Sequence, residues 1–226
     1  NHMPFTVPNK KESFTPIFGD EIDQETLLKG GFRSLGQLNG IRYLDFNVAR
    51  FLERTKEAGY YDNTIFVFFG DHSINLKDYK GNINNEVNLG IQLNHVPFFI
   101  NAPKFITPQV IDKYAKLVDV FPTATSLAKV NYTNYTLGRN LLDSTNTKTV
   151  SFICTQNKGE KAVGLLKDNF YFEKTNISKK TGLYNLNKNS IVDIKLEKTM
   201  ISQQMDSLLS AYYHSTKFLY LNNKKK

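Results

Sequence analysis

The sequence TIFVFF at residues 64–69 is apolar after its first position, and Gly70 interrupts it. A strand with one face in water alternates polar and apolar residues, whereas a strand covered on both faces of a parallel sheet is continuously apolar. A second apolar run, VPFFI, occupies residues 96–100, with Pro97 at its start or at a sheet edge. The two runs predict a mainly parallel sheet with flanking helices.

Helical patterns flank these runs. Apolar side chains repeat at helical spacing over residues 31–59, and Gly59 suits the left-handed position that ends a helix. Thr107-Pro108 and Asp119 are both typical helix starts. The polar, asparagine-rich residues 73–94 indicate a long loop. Alternating strands and helices predict an α/β fold.

The pattern changes after residue 148. Short β-rich runs at residues 150–154, 162–166 and 170–173 predict a small antiparallel β subdomain, and residues 196–221 repeat apolar side chains as in a C-terminal helix. We therefore expect two domains, residues 1–148 and residues 149–226.

Composition limits the classes of function. The net charge is +8, but the basic residues are scattered apart from Lys224, Lys225 and Lys226, so we expect no nucleic-acid binding and a general attraction for anionic substrates or membrane surfaces. No stretch reaches the roughly 20 apolar residues that span a bilayer. The single cysteine, Cys154, excludes an internal disulfide.

Asp71 and His72 follow the first apolar run directly, at the carboxyl end of the predicted strand, where open α/β sheets place their ligands. Neighbouring side chains of a straight strand point to opposite faces, so the pair shares one ion only if the backbone bends, which Gly70 permits. Carboxylate oxygen and imidazole nitrogen suit zinc or manganese better than calcium. Alternatively, Asp71 caps a turn and His72 is an ordinary loop residue.

Two other histidines are candidates. His95 directly precedes the second run, where it either reaches a neighbouring loop or has a structural role. His2 lies in an abrupt opening, NHMPFTVP, that is either a cloning remnant or the interior of a domain. This opening favours a truncated chain. No G-x-S-x-G, G-x-x-x-x-G-K-[ST] or G-x-G-x-x-G motif is present, which argues against a serine-hydrolase elbow and against nucleotide-binding loops.

The order of the motifs resembles a known family. The series comprises NHMPFTVP, a long helix ending AGYYDNT, then FGDH, HVPFFI, VDVFPT and YTLGRNLL, and it covers about residues 1–143. It resembles the sulfatase-like alkaline phosphatase superfamily, with the closest likeness to lipoteichoic acid synthase and related phosphoglycerol transferases. Residues 1–148 would then be the C-terminal portion of an alkaline-phosphatase-like catalytic domain.

The resemblance implies roles for four residues. Asp71 and His72 match the paired metal ligands of the family, for manganese or zinc with magnesium possible, and His2 and His95 match positions that face the substrate phosphate. Ser73 stands where many relatives have glycine or tyrosine. The family's acidic first ligand and its nucleophile both precede the segment that resembles this chain. We therefore expect an incomplete, inactive site in these 226 residues alone.

The implied activity is transfer or hydrolysis of an anionic phosphodiester, such as a glycerophospholipid-type substrate. A metal-activated hydroxyl would attack the phosphodiester, and a covalent phospho-intermediate would pass the group to an alcohol or water. The alternatives are a sulfatase or phosphonate hydrolase, and a noncatalytic anion-binding module. Relatives of this kind act outside the cytoplasm on a membrane anchor, so the resemblance implies an extracytoplasmic, membrane-anchored protein whose anchor lies outside this chain.

Overall fold

The computed structural model describes residues 5–7, 14–73, 84–146, 150–157, 159–188 and 190–223. These residues divide into two compact units, with the boundary between Thr64 and Ile65. The expected boundary near residue 148 stays a prediction. No helix in the described part of the chain combines the length and the apolar character needed to cross a membrane.

The first unit is helical. Helix α1 (Gln24–Lys29) begins after Asp23, whose carboxylate accepts hydrogen bonds from the backbone N–H and the hydroxyl of Thr26, both at 2.8 Å. Helix α2 (Leu35–Glu57) begins after Ser34. Gly59 has a φ of 79°, so it occupies the left-handed conformation expected after a helix end. The long predicted helix is therefore confirmed, whereas α1 was missed.

The apolar repeat of α2 is only partly buried. Ile41, Leu44 and Phe51 belong to the apolar repeat, yet they are exposed in this structure. Asn39 is buried instead, because its side-chain oxygen accepts from the backbone N–H of Ile17 at 2.8 Å and its amide donates to the Ile17 carbonyl at 2.9 Å. A polar side chain thus fixes the preceding segment along the helix.

The second unit contains strands β1 (Phe66–Phe69) and β2 (Phe98–Asn101), which correspond to the two apolar runs. They pair antiparallel, with Phe66 opposite Asn101 and Phe69 opposite Phe98, so the parallel pairing that the apolar runs predict is not found between them. A parallel pair needs a crossover that carries the chain back to the starting end of the sheet. Here β2 begins at the same end of the sheet where β1 finishes. The described part of the connection contains only the four-residue helix α3 (Asn85–Asn88) and a 3₁₀ turn at Ile91–Asn94.

Of the two predicted helix starts, only Asp119 is correct. Helix α4 (Val120–Leu127) follows it, with Pro122 in its first turn. Residues 106–116 form no helix from Thr107, because this segment is held by tertiary hydrogen bonds. The Ala115 carbonyl accepts from the Ser151 hydroxyl at 3.2 Å, and the Tyr114 carbonyl accepts from the Arg139 guanidinium at 2.6 Å.

Asp119 is fully buried and joins two distant backbone segments. Its Oδ2 accepts from the backbone N–H of Lys116 at 2.9 Å, and its Oδ1 accepts from that of Arg139 at 3.0 Å. The charged groups of both basic residues lie 4.0 Å from the carboxylate. The pKa of the Lys116 ammonium is lowered, mainly by burial. The Asp119 carboxylate opposes this shift, and the charge of Arg139 adds to it. Gly138 is required because a Cβ there would lie 1.9 Å from the carbonyl oxygen of Val118.

The remainder of the second unit is a four-stranded antiparallel meander. Its strands are β3 (Val150–Asn157), β4 (Glu160–Lys167), β5 (Phe170–Thr175) and β6 (Thr181–Asn185), in sequence order. Helix α5 (Thr199–Asn222) adds Met205 and Leu209 to a core with Leu165, Phe172 and Leu183. The α/β class, the small antiparallel sheet and the C-terminal helix are confirmed, and only β6 was not predicted as a strand.

A buried polar cluster occupies the sheet around Glu173, which pairs with Gly164 on one side and with Gly182 on the other. The hydroxyls of Tyr171 and Tyr184 donate to its carboxylate at 3.3 and 3.2 Å. Burial, followed by the charge of Glu173, raises the pKa of both tyrosine hydroxyls. The glycines leave space for these rings, since a Cβ on Gly164 would lie 2.5 Å from the Tyr171 ring.

Replacing Gly164 with alanine should destabilise the chain, because neither the strand nor the buried Tyr171 ring can move aside without disturbing the sheet. We expect a loss of about 1–3 kcal/mol in the free energy of unfolding, measured by chemical denaturation. Gly19→Ala is the control, since a Cβ there meets nothing within 4 Å. Equal stability of the two variants would contradict this packing.

Replacing Asp119 with asparagine should destabilise the chain more strongly. The carboxylate accepts the two backbone N–H groups with two oxygens, whereas an amide has only one oxygen that can accept. The neutral amide also leaves Lys116 and Arg139 without a counter-charge. We expect a loss of about 3 kcal/mol by chemical denaturation. Asp112→Asn, at an exposed position, should change stability little. A loss no larger than that of the control would refute the role given to Asp119.

Candidate functional site

The hydrogen bonding of β1 and β2 continues beyond the strands. The N–H of Gly70 donates to the Pro97 carbonyl at 3.0 Å, and the N–H of Ser73 donates to the Leu93 carbonyl at 3.0 Å. The segment with Asp71 and His72 therefore lies beside the segment that contains His95. The structure brings these three predicted site residues to the same end of the β1–β2 pair. His2 lies outside the described residues.

Gly70 allows the close approach on which this arrangement depends. A Cβ at this position would lie 3.0 Å from the Cβ of Val96 and 3.4 Å from the ring of Pro97. A larger side chain would push the two segments apart and weaken the hydrogen bonds beyond the strands. Glycine thus marks the point where the chain leaves β1 while remaining beside the entry to β2.

The side chains of Asp71 and His72 are held in a defined arrangement. Asp71 Oδ1 accepts from the backbone N–H of His72 at 2.9 Å, while Oδ2 lies 3.8 Å from His72 Nε2. His72 Nδ1 lies 3.0 Å from the Ser73 carbonyl oxygen. A carbonyl oxygen can only accept, so Nδ1 carries the proton and the neutral ring has its lone pair on Nε2. Two potential metal ligands, the lone pair of His72 Nε2 and the carboxylate oxygen Oδ2 of Asp71, therefore lie 3.8 Å apart.

This pair fits a shared divalent ion. Two donors that each lie about 2.0–2.2 Å from one ion are at most about 4.4 Å apart, and 3.8 Å is within that limit. A metal-bound histidine usually donates from its other ring nitrogen to a backbone carbonyl or a carboxylate, as Nδ1 does here. Both side chains are accessible, with exposed fractions of 87% for Asp71 and 54% for His72.

The described residues do not complete a metal site. Within them, no group of three or more histidine, cysteine, aspartate or glutamate side chains is placed to hold an ion. The alternative role of Asp71 as a turn cap is also partly met, because Oδ1 accepts the N–H of the next residue. The capping oxygen and the candidate ligand oxygen are different atoms, so the two roles are compatible.

His95 has a carboxylate partner that the sequence did not suggest. Its Nδ1 lies 3.3 Å from Glu86 Oε2, and its backbone N–H donates to the Gln92 carbonyl at 3.1 Å. Because a carboxylate accepts, Nδ1 is the protonated nitrogen and Nε2 is left for another contact. The side chain of His95 has an exposed fraction of 74%.

Glu86 was missed because residues 73–94 were expected to be loop. It lies in the first turn of α3, where Asn84 caps the helix by accepting from the N–H of Val87 at 3.1 Å. An asparagine at the N-cap, followed by an acidic residue in the first turn, is a typical helix start. That signal was present in the sequence.

A family model described as Sulfatase matches residues 1–130. Two curated proteins named after lipoteichoic acid synthase are similar to this chain. The chain is 28% identical over 139 residues to a lipoteichoic acid synthase-like protein of Bacillus subtilis, covering 58% of this chain and 21% of that protein. It is 28% identical over 161 residues to a lipoteichoic acid synthase of Staphylococcus saprophyticus, covering 67% of this chain and 23% of that protein.

Solved structures share the fold. A putative sulfatase from Bacteroides thetaiotaomicron has a TM-score of 0.62 at 16% identity, over 84% of this chain and 44% of that one. A phosphonate monoester hydrolase from Silicibacter pomeroyi has a TM-score of 0.55 at 18% identity, over 76% of this chain and 40% of that one. The chain spans less than a quarter of the length of these curated relatives and less than half of these structures.

If Asp71 and His72 share an ion, replacing either with alanine should weaken Mn²⁺ binding to the 226-residue chain by at least about tenfold, because each variant removes one of two ligands. Manganese paramagnetic resonance measures the free ion directly, and calorimetry extends the comparison to Zn²⁺. Asp112→Ala and His214→Ala remove the same side-chain types from exposed positions elsewhere and should leave binding unchanged. Binding that is indifferent to Asp71 and His72 would refute the site.

Proposed function

Because the chain belongs to the sulfatase family, we propose that it supplies part of the active site of a metal-dependent phosphoglycerol transferase or phosphodiester hydrolase. The observation that carries the proposal is the 3.8 Å approach of Asp71 Oδ2 and His72 Nε2 at the end of β1. The hydrogen bond from His72 Nδ1 to the Ser73 carbonyl supports it, because this bond leaves Nε2 as the metal-binding nitrogen.

Asp71 and His72 would hold the ion, and Mn²⁺ or Zn²⁺ suits this donor pair, with Mg²⁺ possible. When bound, such an ion supplies charge stabilisation for phosphoryl oxygens and lowers the pKa of a coordinated hydroxyl. Further ligands and the nucleophile are not assigned to any residue of this chain. The chain spans less than a quarter of the length of its curated relatives.

His95 would contact the phosphate group of the substrate. Its Nδ1 is occupied by Glu86, so Nε2 is the ring atom available to donate to a phosphoryl oxygen or to move a proton. With one proton already on Nδ1, Nε2 accepts a proton when the ring is neutral and donates one when the ring carries both protons. His2 keeps a similar proposed role by resemblance alone.

An anionic phosphodiester is the favoured substrate class. Two curated relatives are named as a lipoteichoic acid synthase or as similar to one, and the net charge of +8 attracts anions. We extend the same likeness to a glycerophospholipid-type substrate and to a location outside the cytoplasm at a membrane. A second candidate is hydrolysis of sulfate or phosphonate esters, which the sulfatase match and the phosphonate monoester hydrolase neighbour favour.

Turnover by the native polypeptide that carries this chain tests the proposal. A chromogenic aryl phosphodiester, an aryl sulfate and an aryl phosphonate, each with and without Mn²⁺ or Zn²⁺, separate the candidate activities. We expect metal-dependent cleavage of the phosphodiester. Asp71→Asn should lower kcat/KM by at least about a hundredfold, since it removes an anionic ligand from the ion.

Asp112→Asn is the matched control and should retain full activity. Preferred cleavage of the sulfate or the phosphonate would transfer the assignment to the second candidate. No cleavage of any ester, together with no metal binding, would favour a noncatalytic anion-binding module. Full activity of Asp71→Asn would refute the proposed site itself.

A further inference from the structure

The 3₁₀ turn before β2 joins the candidate site to the meander. On the side of the site, the Leu93 carbonyl accepts from the N–H of Ser73 at 3.0 Å, and His95 directly follows the turn. On the side of the meander, Asn94 Nδ2 donates to the Cys154 carbonyl at 3.0 Å, across 60 positions of the sequence. The residue between the two site contacts is therefore attached to the sheet.

The attachment point is the edge strand of the meander. Cys154 lies in β3, which has a neighbouring strand, β4, on one side only. Backbone groups on the open side of an edge strand have no partner within the sheet. The amide of Asn94 provides a donor for one of them, so the turn is fixed to the backbone of a strand.

The segment at residues 85–94 lies across the face of the meander that is opposite α5. Leu89 and Ile91 pack in a hydrophobic cluster with one side chain from each of the four strands, Ile153, Leu166, Tyr171 and Tyr184. In each strand these positions alternate with those that pack against α5. At the other end of the segment, the buried Asn85 donates from its amide to the Lys188 carbonyl, just after β6. The segment is thus held at both ends and in its middle.

We propose that Asn94 is a positioning residue of the candidate site and acts through His95. Glu86 orients the imidazole of His95, whereas the bond from Asn94 to β3 places its backbone, so that Nε2 meets a phosphoryl oxygen of the substrate. The inference rests on the proposed function, because it concerns the contact of His95 with the substrate. It makes the meander a part of the catalytic unit.

A purely structural role of Asn94 predicts a different outcome. Its bond to Cys154 is exposed, and a single exposed hydrogen bond contributes little to the stability of the whole chain. The meander keeps its core with α5 when this bond is lost. Removing the amide should therefore loosen the turn locally and leave the sheet intact.

Amide hydrogen exchange in the 226-residue chain tests the attachment without reference to catalysis. Asn94→Ala removes the amide, and Asn94→Asp keeps its size but cannot donate from a carboxylate. In both variants the N–H groups of Ser73 and His95 should exchange at least about tenfold faster, because both bond to carbonyls of the turn. The N–H of Gly70 bonds to the Pro97 carbonyl, outside the turn, and should keep its wild-type rate.

Turnover by the native polypeptide that carries this chain tests the role in catalysis. Both Asn94 variants should lower kcat/KM for the preferred ester by at least about tenfold, since a small displacement of a positioned group has a large effect on rate. In a His95→Ala background, Asn94→Ala should have little further effect, because the residue through which it acts is already absent. Independent effects on the fold would instead be additive.

Asn222→Ala is the matched control, because Asn222 also donates from an exposed amide to a backbone carbonyl, that of Phe218 at 2.8 Å. It should keep wild-type exchange and turnover. Unchanged exchange of the Ser73 and His95 N–H groups in the Asn94 variants, or additive losses of kcat/KM with His95→Ala, would overturn the inference while wild type stays active. Wild type that cleaves no ester would refute the proposed function, and the role given to Asn94 with it.

Discussion

The buried carboxylate of Asp119 is the interaction on which the second unit depends. It accepts two backbone N–H groups that are 23 residues apart, those of Lys116 and Arg139, and it lies beside both of their charged side chains. A buried charge is tolerated only when it is paired and fully hydrogen-bonded, so this network has little freedom to rearrange. It fixes the start of α4 and also the loop that contains Arg139, whose guanidinium in turn holds the carbonyl of Tyr114.

The candidate site is held in place by a much smaller element, the β1–β2 pair. The β1–β2 ladder has only four residue pairs, but two backbone hydrogen bonds beyond it keep the Asp71 and His72 segment next to that of His95. The candidate side chains are exposed, so their arrangement comes from local hydrogen bonds rather than from burial. The Ser73 carbonyl orients one imidazole, and the Glu86 carboxylate orients the other.

Sequence patterns predicted what depends on local periodicity and missed what depends on tertiary contacts. Helices α2, α4 and α5 and three strands of the meander follow from spacing and caps. The antiparallel pairing of β1 with β2 could not be predicted, since a continuously apolar run indicates two covered faces and no direction. The helix expected at Thr107 failed because the carbonyls of Tyr114 and Ala115 bond to side chains far away in sequence. Asp71, His72 and His95 stood out as polar residues beside apolar runs, whereas the helix-start signal at Asn84 that places Glu86 lies within a uniformly polar segment and was overlooked.

The register of β1 against β2 has a consequence for how related sequences diverge. Alternate strand residues point to opposite faces, so inserting one residue between Phe66 and Ser73 would turn the site side chains away from the segment of His95. Insertions between Ser73 and Asn84 would leave both flanking hydrogen bonds and the contact of Glu86 with His95 possible. Homologous chains should therefore tolerate changes of length there, and keep a constant spacing from β1 to the pair Asp71 and His72.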